Sequence, residues 1–160
     1  MKEHEIFNAI YRNDLESFKG LIKDPTVLEV RDREGRTPLI NAALDGKVEI
    51  LRLLLSLGAD CNASDKTGFT PLHFAAQKNL EEIATLLIAR GAVVDARDVH
   101  GNTPLSKAVF NSGGKGDIIT LLRNHGADPR ATNNHGVSPL SLAKTIANFP
   151  VAQFFDDIRD

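Results

Sequence analysis

The chain starts a helix in the same way four times, at nearly equal spacing. Thr37-Pro38-Leu39, Thr70-Pro71-Leu72 and Thr103-Pro104-Leu105 recur at one constant interval, and Ser138-Pro139-Leu140 follows after an interval two positions longer. A hydroxyl side chain directly before proline is a helix start. Its oxygen accepts from a free backbone N–H, and the proline occupies a position where a missing N–H costs nothing. A fixed period of this length calls for a stack of similar units, each burying its apolar face against its neighbours.

The rest of the period agrees. Three leucine-rich runs end in a Gly-Ala pair, at Gly58-Ala59, Gly91-Ala92 and Gly126-Ala127, where a left-handed helix cap is wanted. A four-residue turn follows each unit: Asp32 to Gly35, Asp65 to Gly68, Asp98 to Gly101, Asn133 to Gly136. Asp or Asn first and Gly fourth fits a type I turn. The unit reads as helix, short turn, helix, then an extended β-turn finger to the next unit.

On these residues the chain resembles the ankyrin repeat family. The resemblance is carried by Thr70 to Ala76, by Gly58 to Ala63 and by the Asp-x-x-Gly turns, and it covers nearly the whole length. It departs from the family where Ile40, Ser106 and Ser141 replace the histidine kept at His73. Asn79 also stands where Gly46 does, a change that asparagine tolerates in left-handed geometry. The resemblance implies an all-α ankyrin-repeat solenoid of helix-turn-helix units joined by β-turn fingers, forming one domain over 1–160.

Within it, residues 4–36 read as a degenerate N-terminal capping repeat. A shift of one period places Ala9 on Ala42, Asn13 on Gly46 and Leu21-Ile22 on Leu54-Leu55, and Lys2, Glu3, His4, Glu5, Arg12 and Lys19 make the end polar. Repeats 37–69 and 70–102 follow, with core stripes of Ile50, Leu51, Leu54 and Leu55, then Ile83, Leu86, Leu87 and Ile88. Repeat 103–137 carries two extra residues, in the stretch Asn111 to Asp117. Residues 138–160 read as the C-terminal cap, ending on a helix opened by Pro150, with Phe154 or Phe155 closing the core and Asp156, Asp157, Arg159 and Asp160 polar outside. Glu49, Glu81, Glu82 and Asp117 open the second helices, where they complement the helix dipole.

Composition narrows the function classes. Of the residues, 42% are hydrophobic and 25% charged, and the formal net charge is −2. A general nucleic-acid binder is normally basic, so nucleic acid is not the expected partner. No apolar leader or long apolar run is present, which makes a cytoplasmic, membrane-free chain the expectation. The single cysteine, Cys61, excludes an internal disulfide and reads as a buried thiol. His4, His73, His100, His125 and His135 make no metal-ligand spacing, and His73 reads as structural. No metal, cofactor or catalytic residue is expected.

What is left is a surface. The resemblance implies that partners contact three sets of variable positions. The finger tips supply Arg33, Glu34, Lys66, Thr67, Val99, His100, Asn134 and His135. The residues before each helix start supply Arg36, Phe69, Asn102 and Val137. The ends of the first helices supply Leu44, Asp45, Gln77, Lys78, Phe110 and Asn111. Leu44, Phe69, Val99, Phe110 and Val137 are apolar where exposure is expected. Arg33, Arg36, Lys66 and Lys78 outnumber Glu34 and Asp45, so the partner surface is expected to be neutral to acidic. Phe69, rimmed by Arg36, Lys66 and Lys78, is the expected anchor. Asn62 occupies the position at which an asparaginyl hydroxylase modifies ankyrin repeats.

The expected function is a non-enzymatic, monomeric protein-binding module acting through its concave face, as an inhibitor or sequestering protein of the toxin-immunity kind. The alternative is a small anion- or nucleotide-binding protein. It rests on Gly113-Gly114-Lys115-Gly116 within the 111–117 loop, where backbone N–H groups, one lysine and a following helix start can hold an anion. The segment lacks the spacing and the preceding strand of a phosphate-binding P-loop.

Overall fold

The computed structural model describes residues 2–159, and its helices come in pairs. They are α1 (Lys2–Arg12) with α2 (Leu15–Leu21), α3 (Pro38–Leu44) with α4 (Val48–Ser56), α5 (Pro71–Gln77) with α6 (Glu81–Ala89), and α7 (Pro104–Asn111) with α8 (Asp117–Asn124). After α9 (Pro139–Thr145) the chain ends in a 3₁₀ turn, Val151–Phe155, and another such turn, Pro25–Glu29, follows α2. The segment opened by Pro150 is therefore a 3₁₀ turn and not a longer helix. The side chains of Lys2 and Glu3, and Asp160, lie outside the described residues.

All four hydroxyl–proline pairs start helices. Thr37, Thr70, Thr103 and Ser138 are extended, and each side-chain oxygen accepts from the backbone N–H three residues on. Such a cap contributes about 0.5–2 kcal/mol. The reversal within each early pair needs a left-handed residue, supplied by Asn13 (φ 56°), Gly46 (φ 68°) and Asn79 (φ 55°). Asparagine serves in place of glycine there because its short polar side chain tolerates this region.

The pairs stack in two layers. The inner helices α1, α3, α5, α7 and α9 pack in chain order, as do the outer helices α2, α4, α6 and α8. Ala42, Ala43, Ala75, Ala76 and Ala108 are buried on the inner helices, where a small side chain lets neighbours approach closely. Ile50, Leu51, Leu54, Ile83 and Leu87 fill the seam between layers. Leu86 and Ile88, expected in the same stripe, are only half-buried. Phe18, in register with Leu51, is fully buried and anchors the first pair.

The fingers repeat one hydrogen-bond pattern. Gly35, Gly68, Gly101 and Gly136 donate back to Asp32, Asp65, Asp98 and Asn133 at 2.9–3.0 Å, closing each turn. The first residue of each turn also uses its side-chain oxygen to accept two further backbone N–H groups of its own finger. Successive fingers then join through the backbone: Lys66 N–H to Glu34 O at 3.1 Å, Val99 to Thr67 at 3.0 Å, Asn134 to His100 at 2.9 Å.

The two extra residues of the fourth unit have a packing explanation. A Cβ at Gly116 would fall 2.1 Å from the Phe154 ring, and one at Gly114 would fall 3.1 Å from Phe149. The glycine-rich loop is a seat for the C-terminal segment. Arg123 completes it, donating to the Phe154 carbonyl and to Asp157 Oδ2 (2.6 Å), with its guanidinium over the buried Phe155 ring.

Candidate partner-binding face

The face that the family resemblance implies to be concave is the one formed by the fingers and the inner helices. At its centre, the finger before α5 brings Phe69 onto the first turn of that helix. The Phe69 ring stacks on His73 (centroids 5.3 Å apart) and tilts against Phe74 (5.1 Å). Phe69 is therefore half-buried, not a free-standing exposed anchor. Its cationic neighbour also differs from the expected rim. Lys107 Nζ lies 4.6 Å from the Phe69 ring centroid, whereas Arg36 rests over Phe74 and 3.7 Å from Asp65.

His73 is a structural residue with a defined tautomer. Thr70 N–H donates to Nδ1 at 3.2 Å, so Nδ1 carries no proton, and Nε2–H donates to the Asn102 carbonyl at 3.1 Å. Burial pushes the His73 pKa below its ordinary value, more than the Asn102 carbonyl and nearby carboxylates raise it. One neutral imidazole thus caps its own helix and ties it to the next finger.

Asp98 anchors that finger. Burial raises the Asp98 pKa, but Lys107 at 3.0 Å and bonds from Asn102 outweigh it and hold the carboxyl below its ordinary range. Lys107 therefore neutralises a buried acid while covering an aromatic ring. Arg36 and Lys66 are also partly committed, Arg36 to Asp65 and Lys66 to the Arg33 carbonyl at 2.7 Å. The face is less basic than a count of its side chains suggests.

Toward α9 the face turns apolar. Asn102, Lys107, Phe110, His135, Val137 and Leu142 line a groove of about 330 Å³. Phe110 is 69% exposed and Val137 37%. A second groove, about 410 Å³, runs from the other side of Phe110 past Asn111 to Phe149. Phe110 is the ridge between them. Of the expected contact residues, the structure thus brings Asn102, Phe110, His135 and Val137 together.

The others are spread out. Arg33 and Glu34 border a separate hollow with His4 and Phe7. Thr67, Val99, His100 and Asn134 are exposed along the finger tips. Leu44 and Gln77 are half-buried at the ends of their helices, beside exposed Asp45 and Lys78. Leu44 therefore packs partly into the array rather than standing clear. Three surface residues on this side escaped the sequence reading: Tyr11, Leu142 and Phe149. The register could have found Tyr11, because it stands one repeat period before Leu44.

Among the described residues, no group of three or more His, Cys, Asp or Glu side chains is placed to hold a metal ion, and no helix is long and apolar enough to cross a membrane. Cys61 is buried, with its Sγ 3.3 Å from the Arg90 carbonyl, and burial raises its pKa. A thiol held protonated is a weak nucleophile. Asn62 is exposed, and its side chain ties two units, accepting from Val93 N–H and donating to the Gly91 carbonyl.

Comparison with known proteins agrees with this architecture. The family profile described as Ankyrin repeats (3 copies) matches residues 6–98, and the profile described as Ankyrin repeat matches residues 100–134. The chain is 41% identical over 59 residues to the human and mouse proteins named Protein phosphatase 1 regulatory subunit 27, a stretch covering 37% of this chain and 38% of each relative. It is 41% identical over 54 residues to an Arabidopsis thaliana protein named Serine/threonine-protein kinase VIK, covering 33% of this chain and 12% of that protein. The chain thus spans well under half the length of these curated relatives.

Proposed function

Because the chain belongs to the ankyrin-repeat family, a family of protein-interaction modules, we propose that it is a non-enzymatic binding protein that inhibits or sequesters one partner by occupying it. The partner sits on the concave face, with its main apolar contact at the groove beside Phe110 and Val137. The carrying observation is that groove, where a large aromatic side chain stands 69% exposed at the edge of an otherwise polar face. Aromatic residues in such settings are the usual centres of binding energy. A relative named as a regulatory subunit supports regulation by occupancy. The kinase relative shares only 12% of its length, which carries no argument for phosphoryl transfer here.

The glycine-rich loop is not favoured as an anion site. Phe149 and Phe154 cover Gly114 and Gly116, and Asp117 places a carboxylate in the first turn of α8.

Affinity capture from native lysate, followed by assay of the captured protein's own activity, tests the proposal. The expected result is a stoichiometric complex in which that activity falls as this protein is added. A captured partner whose activity is unchanged at saturation would rule out inhibition.

A further inference from the structure

Two rows of residues cross the inner helices near their C-terminal ends. Tyr11, Leu44, Gln77 and Phe110 each stand one repeat period from the next, and Arg12, Asp45, Lys78 and Asn111 follow them directly. They lie at the ends of α1, α3, α5 and α7, which stack in that order. The first row has an exposed aromatic at each end, Tyr11 at 75% and Phe110 at 69%, with half-buried Leu44 and Gln77 between. The second row is exposed throughout and reads positive, negative, positive, neutral. None of its three charges forms an ion pair among the described residues.

The spacing of these rows selects the conformation of what lies on them. Packed helices sit about 8–10 Å apart. An α-helix advances about 10.5 Å in seven residues, which is close to two turns. A helix laid along the stack therefore offers every seventh side chain to successive repeats, all from one face. An extended segment covers the same distance in about three residues, and side chains three apart in a strand point to opposite faces. A β-strand therefore cannot present one face to every repeat, and a polyproline II segment, about 9.3 Å per turn of three residues, can face one row but turns its next edge about 120° away from the second.

We propose that the occupant of this face is an amphipathic α-helix of a partner protein, carrying acid, base and acid at seven-residue steps against Arg12, Asp45 and Lys78. Beside them it carries apolar residues at i, i+7 and i+21 against Tyr11, Leu44 and Phe110. The inference rests on the concave face being the partner site, as proposed above, and adds the partner's secondary structure and charge order. The exposed charges set register as well as attraction: acid–base–acid opposes all three residues, whereas a shift by one repeat places like charges together, and the unequal apolar spacing sets orientation.

The test uses the full chain as bait and a yeast-displayed library of 29-residue alanine-rich helices, randomised on one face. The expected enriched sequences carry acid–base–acid at seven-residue steps, and a bait with R12E, D45K and K78E together selects base–acid–base. A peptide selected on the native chain should bind the reversed bait at least tenfold more weakly. Circular dichroism checks that the reversed bait folds, and K78E alone replaces it if it does not. Enrichment without the charge order, equal binding to both baits, or no enrichment on the native chain overturns the proposal. Peptides indifferent to charge reversal but lost on Phe110→Ala would refute the helix complement and leave the concave site standing. Indifference to both changes would refute both.

Discussion

Gly68 and Gly136 close equivalent turns with nearly the same backbone angle, φ 79° and 76°, yet alanine should cost very different amounts at the two positions. At Gly136 an added Cβ meets nothing within 4 Å. The cost there is the left-handed strain alone, about 1–2 kcal/mol. At Gly68 the Cβ would lie 2.9 Å from the Val99 backbone nitrogen and 3.0 Å from Asp98 Cα. Those atoms belong to the next finger, and Val99 N–H is the donor that joins the two fingers. Backbone cannot swing aside as a side-chain tip can, so overpacking adds about 1–3 kcal/mol. Gly68→Ala should therefore cost about 2–5 kcal/mol in all, by summing those two contributions. The reduced freedom of the unfolded chain affects both variants alike and drops out of the comparison. For a chain of this size each kcal/mol moves Tm by about 2–4 °C, so urea and thermal melts followed by circular dichroism will separate the two. Equal losses would refute the argument that the fingers are packed backbone to backbone.

Other expectations follow from single contacts. His73 is held neutral with its pKa lowered from 6.5. The unfolded chain thus takes up a proton before the folded one does, and this contribution is complete above about pH 6.5 and lost as pH falls through the lowered value. His73→Ser, which installs the residue found at Ser106 and Ser141, should flatten the decline of the urea midpoint between pH 7 and pH 5; an unchanged slope would show that another group governs it. Phe69→Ala should lower stability by about 1–3 kcal/mol through lost contact with two rings, in contrast to the near-neutral change expected of an exposed residue, and a melt within about 0.5 kcal/mol of wild type would contradict the stacked geometry. Gly116→Ala should destabilise by about 1–3 kcal/mol through collision with Phe154. The cost should shrink in a Phe154→Ala background, and strictly additive losses in that double-mutant cycle would argue against the seat.

The legible parts of the fold were those set by local backbone chemistry. A hydroxyl before proline, a glycine in a left-handed turn and an aspartate opening a finger each work within a single turn of chain, and each is found in place. Contacts that depend on stacking were not legible. Lys107 reaches Phe69 from the following repeat, and no spacing rule links a lysine inside one helix to a ring before another. The same separation hid the role of Gly114 and Gly116, whose partners Phe149 and Phe154 lie in a segment with no repeat signal. Tyr11 was legible in principle, because the register that places Ala9 on Ala42 places Tyr11 on Leu44, but a unit read as a polar cap carries no expected contact residue. On the candidate face, register alone spreads the contact residues evenly over the repeats, whereas the structure concentrates exposed apolar surface near α7 and α9.

The central claim is that a partner is held at the Phe110 ridge. Calorimetric titration of the captured partner against Phe110→Ala and Arg52→Ala tests it most directly. Phe110 is exposed at the groove, and Arg52 is exposed on the outer helix α4, where it pairs with Glu82. Both proteins should fold. Phe110→Ala should weaken binding by about 2 kcal/mol or more, roughly thirtyfold, while Arg52→Ala binds as wild type. Unchanged affinity with Phe110→Ala, or an equal loss with Arg52→Ala, would place the partner elsewhere.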